Sequence, residues 1–191
     1  MKKLVLVTSP PACGKTFVTR KLAKYMKNCV YLDKDSLIVL SKQIFKVAKE
    51  EYNRSSDFFE REIRDYEYDC IMEIAMEALD YNDTVFINAP FTREVRTPGY
   101  MKNLRRELLR KKGAELVIFW VQCDKEVCKE RMIKRNSDRD TWKLAHWDEY
   151  ISGQDFSLPE GIKNLHVFDN SSDDTFWDSI HKASDYLKNL K

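Results

Sequence analysis

Leu4 to Met26 reads LVLVTSPPACGKTFVTRKLAKYM. Four apolar residues, Leu4 to Val7, have the look of a short buried strand. Thr8, Ser9, Pro10, Pro11 and Ala12 make a turn. Cys13-Gly14-Lys15-Thr16 follows, and then Phe17, Val18, Leu22 and Met26 recur at helical spacing. Strand, loop and helix are the context that a G-x-x-x-x-G-K-[ST] phosphate loop requires. The residue types suit the chemistry. Backbone N–H groups around Gly14 can wrap a phosphate only if side chains stay clear. A helix beginning near Lys15 aims its positive end at the anion. The Lys15 ammonium reaches the β- and γ-phosphates, and the Thr16 hydroxyl can ligate Mg²⁺. One position departs from the pattern: the first glycine would fall at 9, where the chain has Ser9.

Downstream of this unit, strand-like and helix-like runs alternate. CVYLDKDSL (29–37) reads as a second strand ending in acids, with Asp33 and Asp35 at or just past its carboxyl end and the next helix beginning at Asp35 or Ser36. In an open α/β sheet that end faces the ligand crevice. Asp35 is either the cap of the next helix or a carboxylate aimed at a substrate. Leu37, Ile38, Leu40, Ile44, Phe45 and Val47 predict that helix's apolar face. EEYNRSSDFF is a polar break. From Asp57 to Tyr81 the pattern predicts one long helix, with Ile63, Tyr66, Cys70, Ile74 and Ala78 on one stripe. TVFINAPF (84–91) is a third strand, apolar enough for burial on both faces. Asn88 stands where a metal-holding acid would fit a motor-type ATPase, and Arg93 and Arg96 follow in the loop. The helix over 99–112 is strongly basic but carries Met101, Leu104, Leu108 and Leu109 as an ordinary apolar stripe. Its charges therefore read as a solvated face rather than a nucleic-acid surface.

ELVIFWVQC (115–123) is the fourth strand. The helix beginning at Asp124 brings Arg131, Arg135 and Arg139 at four-residue intervals. That spacing sets Arg131 and Arg135 on one face. It is the kind of array that closes over a transferring phosphoryl group. Trp147 and Tyr150 are expected to pack the next helical segment onto the body. IKNLHVFDNS (162–171) is the fifth strand, with Asn170 at its end, and 174–190 is an amphipathic closing helix. Alternation of this kind predicts a parallel sheet covered on both faces.

The bulk properties agree with one domain spanning 1–191. The chain has 191 residues, 43% of them hydrophobic and 34% charged, a composition that supports a sizeable core. A net charge of +2 sets up no large field for nucleic acid or anionic membrane. No apolar run approaches a bilayer span. Five scattered cysteines suggest neither a disulfide framework nor a zinc site, and point to a reducing, cytoplasmic setting. Cys13, beside a helix start, reads either as a redox-sensitive thiol or as a small loop filler.

Taken in order, SPPACGKT, YLDKDSL, INAPF, WVQCD, ERMIKRNSDRD and FDNS resemble the small-molecule kinase branch of the P-loop NTPases. The likeness is to the AAA-domain or zeta-toxin-like kinases, to gluconate, shikimate and polynucleotide kinases, and to chloramphenicol phosphotransferase. It implies a three-layer α/β fold with a five-stranded parallel sheet in the order 2-3-1-4-5 and an arginine-bearing lid at about 132–145. It further implies ATP and Mg²⁺ as cofactors. The implied nucleotide contacts are Ser9, Pro11, Ala12, Cys13, Gly14, Lys15, Thr16, Phe17, Arg131, Arg135 and Asn170, the last flanking the adenine. Thr16 and Asp33 would serve the metal, and Asp35 would take the proton of an acceptor hydroxyl. Arg135 and Arg139 would neutralise developing charge. Residues 36–68 and 91–100, Arg93 among them, would line the pocket of a small-molecule acceptor. A monomer or homodimer is expected. Two other readings are a nucleotide-operated switch and a kinase for polynucleotide 5′-hydroxyls.

Overall fold

A computed structural model describes residues 1–136 and 140–190. Five strands, β1 (Lys2–Thr8), β2 (Cys29–Asp33), β3 (Thr84–Asn88), β4 (Ala114–Gln122) and β5 (Leu165–Asp169), pair in parallel in the order β2-β3-β1-β4-β5. The helices among the described residues are α1 (Lys15–Lys24), α2 (Ile38–Ala48), α3 (Asp57–Glu62), α4 (Arg64–Tyr81), α5 (Tyr100–Lys112), α6 (Lys125–Arg135), α7 (Thr141–Ala145), α8 (Trp147–Ser152) and α9 (Asp173–Asn189). This is the predicted sheet order.

The pleat of the central strands divides the core into two. Val5 and Val7 of β1, with Val117, Phe119 and Val121 of β4, face α1, α6, α8 and α9. Leu4 and Leu6, with Leu116, Ile118 and Trp120, face α4 and α5. Apolar residues on both faces of a strand are what a sheet buried between two helical layers demands. The run in β3 is buried throughout, as expected. Trp147 and Tyr150 are buried as well and hold α8 to the body.

Three local expectations are corrected. β2 ends at Asp33, and where the next helix is expected to begin, at Asp35 or Ser36, a 3₁₀ turn, Lys34–Leu37, precedes α2. Asp33 caps that turn by accepting from the Asp35 amide, so the cap considered for Asp35 belongs to its neighbour. The second correction concerns α2. Leu40, Ile44 and Val47 lie on an exposed face, and Ser41 and Phe45 are the buried positions. Third, the long helix over 57–81 breaks at Ile63, whose φ of −128° leaves the helical region. The break lets Phe59 and Ile63 pack with Phe45 in a satellite cluster while α4 lies on the sheet. α4 presents Tyr68, Ile71, Ala75 and Leu79, and Tyr66 and Ile74 are exposed.

Several basic residues of α5 are engaged locally. Arg105 bonds to Glu115 and to the carbonyls of Leu116 and Lys163, Lys111 pairs with Glu107, and Lys112 with Asp80. No helix among the described residues is long and apolar enough to cross a membrane.

Candidate active site

The phosphate loop is held by long-range bonds from two other strands. Gly14, at the start of α1, has φ +84°, a left-handed conformation open to glycine. A Cβ there would also collide with the Asn170 amide. Ala12 takes the loop's other positive φ, 64°. Ser9 has no positive φ and is buried, so the backbone does not need a glycine at position 9. Asn170, also buried, donates from Nδ2 to the Cys13 carbonyl at 2.8 Å and ties the end of β5 to the loop. The Cys13 side chain lies in the core, its Sγ 3.8 Å from that of Cys128. It fills space under the loop and does not face the cleft. Cys123 stands nearby, its thiol pushed up by its hydrogen bond with Cys128 and then by burial.

Asn88 links the loop to β2. It occupies the end of β3, in register with Val7 and Asp33. Its Oδ1 accepts from Lys15 Nζ at 2.7 Å, and its Nδ2 donates to Thr16 Oγ1 at 3.1 Å and to Tyr31 OH at 3.3 Å. Tyr31 in turn donates to Asp33 Oδ2 at 2.6 Å. Burial first, and then Asp33, push the Tyr31 phenol up to about 12. An amide at position 88 can accept from the lysine and donate to the hydroxyl at once, which a carboxylate could not do.

Beside the loop runs a cleft of about 870 Å³. It is lined by Lys15, Thr16 and Phe17 together with Lys34, Asp35, Arg54, Arg93 and Arg96. Arg135 and Lys143 line it as well. Asp35 is exposed, and its carboxylate makes no hydrogen bond or ion pair among the described residues. Its neighbours are highly organised. Glu67 is buried and accepts from Arg54 Nη1 and Nη2 (2.7 and 2.8 Å), from Lys34 Nζ (2.5 Å) and from Ser41. Burial alone would raise this carboxyl, but the bonds from Arg54, Lys34 and Ser41 outweigh it and hold the pKa at about 2. Arg93 pairs with Asp65 and Arg96 with Asp155.

The sequence-predicted arginines separate in space. Arg131 donates to Cys123 Sγ at 3.2 Å and lies beside Gly14 without lining the cleft. Arg135 lines it and bonds to buried Asp140. Arg139 lies outside the described residues. Sequence reasoning did not foresee the parts played by Asn88, Tyr31, Glu67 or Asp140. Each acts through a partner on another element, and only the polar Asn88 inside an apolar strand gave a visible signal.

The AAA domain family matches residues 4–156, and the chain belongs to it. No curated protein matches. Among solved structures the fold is that of P-loop kinases. A protein of Chloroflexus aurantiacus described as a candidate kinase aligns at 17% identity and TM-score 0.65, covering 100% of this chain and 98% of its own. A gluconokinase from Sinorhizobium meliloti aligns at 14% identity and TM-score 0.58, covering 98% and 95%. Kti12 of Chaetomium thermophilum in complex with ADP-AlF3 aligns at 17% identity and TM-score 0.51, covering 96% and 98%.

Proposed function

We propose that this protein is an ATP-dependent phosphotransferase that moves the γ-phosphoryl group to a hydroxyl of a small molecule. The observation that carries the reading is Asp35, an uncommitted carboxylate in the same cleft as Lys15 and Thr16. A nucleotide switch has no use for such a base opposite its phosphate loop. The loop amides and Lys15 would hold the phosphates. Among the described residues no cluster of three or more His, Cys, Asp or Glu could hold a metal. Mg²⁺ would therefore ride on the nucleotide with Thr16 as its protein ligand, which suits an ion that keeps phosphate and water ligands. When bound, it neutralises charge on the β- and γ-oxygens.

Asp35 orients the acceptor hydroxyl and takes its proton as the new O–P bond forms and the bond from γ-phosphorus to the bridging oxygen breaks, releasing ADP. Arg135 offsets charge on the moving group, and Arg93 with Arg54 lies on the acceptor's side. Five unpaired cysteines favour a reducing compartment such as the cytoplasm.

The test is a transfer screen with labelled ATP against hydroxylated small molecules, run with the parent and Asp35→Asn. The variant is expected to bind ATP like the parent and to lose about 10²- to 10⁴-fold in transfer, the usual scale for a general base. An acceptor turned over equally by both would remove Asp35 from the mechanism.

A further inference from the structure

Two cations of the cleft share one anchor. Arg135 donates to Asp140 Oδ2 through Nε, at 2.8 Å, and through Nη2. Lys143 Nζ stands 3.8 Å from the other oxygen, Oδ1. Both cations line the cleft and are partly exposed, whereas Asp140 is wholly buried. Its position makes the arrangement telling. Asp140 is the N-cap residue of α7, where an aspartate ordinarily accepts from an amide of the first turn. It makes no such bond. Oδ1 has no hydrogen-bond partner at all among the described residues. The carboxylate has turned from the helix start toward the two cations.

We infer that Asp140 is a positioning residue for phosphoryl transfer, holding Arg135 and Lys143 at the cleft edge so that their charge is in place before the reaction. The inference rests on the phosphotransferase reading. Two cations close together repel, and each has a long side chain with many rotamers. A buried carboxylate between them offsets the repulsion, fixes the Arg135 guanidinium through two bonds and draws the Lys143 ammonium toward it. Charge that is already placed costs no reorganisation when the transition state forms. Asp140 itself, being buried, need touch neither nucleotide nor acceptor.

The experiment measures the affinity of the full chain for Mg-ADP with and without aluminium fluoride, a mimic of the moving phosphoryl group. The proteins are the parent, Asp140→Asn, Arg135→Ala, the double variant and Lys143→Gln, with melting recorded for each. Affinity for Mg-ADP alone is expected to stay within about twofold in Asp140→Asn, because buried Asp140 touches no ground-state ligand. The extra tightening from aluminium fluoride should fall about 10- to 10²-fold in Asp140→Asn, the cost of displacing a charged group by a fraction of its length. The double variant should be no worse than Arg135→Ala, since Asp140 acts through the arginine. Full tightening in Asp140→Asn beside a loss in Arg135→Ala overturns the inference and leaves the role of Arg135 standing. A gain in Asp140→Asn also overturns it, since Asp140 would then be withholding the arginine. Should Asp140→Asn fail to fold, Lys143→Gln decides: a normal melt with undiminished tightening rejects the inference. A parent that binds Mg-ADP but shows no fluoride effect rejects it too. A parent that binds no Mg-ADP brings down the phosphotransferase reading itself.

Discussion

Lys15 is the residue on which nucleotide binding is expected to turn. Lys15→Ala removes the point charge on the phosphates and should weaken Mg-ATP binding by about 10- to 10²-fold, the scale of a charge-assisted bond. Titration calorimetry checks this, with unchanged melting expected, and equal affinity would reject the loop assignment. Arg135→Ala should instead act on turnover, lowering kcat by roughly 10²-fold with ATP affinity little altered, since charge builds up in the transition state. Single-turnover kinetics separates the two effects. Gly14, Lys15 and Thr16 were legible because a phosphate loop is local: its chemistry is written in adjacent residues. Asp35 was legible as one of two carboxylates at a strand end, but which of the two capped the turn was not. Asn88 and Asn170 stood out at strand ends, but what they bond was not legible. Their partners lie 73 and 157 residues away, and no window along the chain contains both ends of such a bond.

At the scale of elements, the start of α1 depends on β5. Asn170→Ala takes the only side-chain donor the described residues offer to the Cys13 carbonyl and leaves a buried acceptor unpaired. The expected cost is about 1–3 kcal/mol, read by denaturant unfolding, with weaker ATP binding as the loop loses its brace. An unchanged midpoint would show that the brace is dispensable. Strand and helix identities along the chain were legible from periodicity. The faces of α2 and α4 were not. Periodicity finds an apolar stripe, but it cannot tell which stripe meets the sheet when a helix carries apolar residues on several sides. Leu40, Ile44 and Val47 form a regular stripe on α2 and are exposed, because Phe45 and the satellite cluster set the rotation of that helix.

Across the whole molecule, Glu67 of α4 gathers the 3₁₀ turn through Lys34, α2 through Ser41, and the connection before α3 through Arg54. Its carboxyl pKa is held at about 2 against an ordinary 4.5. The stability it contributes is therefore complete above about pH 4.5 and is lost as the pH falls toward 2. Acid unfolding followed by circular dichroism should show that decline, and Glu67→Gln should flatten it. At neutral pH the same variant should lose about 3–5 kcal/mol, because it leaves buried Lys34 without its counter-charge. The sheet order was legible because strand-helix alternation and right-handed crossovers leave few arrangements. The ionic centre around Glu67 was not, since its members are spread over four segments and none is unusual where it stands.

The bond from Asn170 to the Cys13 carbonyl also bears on how the protein is made. The ribosome releases the phosphate-loop sequence well before Asn170, which lies 157 residues beyond Cys13. A nascent chain that stops short of Asn170 carries every loop residue and lacks the amide that braces the loop. The nucleotide site then matures only once residue 170 has emerged, although its loop sequence emerges much earlier. Stalled chains ending before and after position 170 should differ in ATP retention, and the cell would meet the young chain as a fold without its ligand.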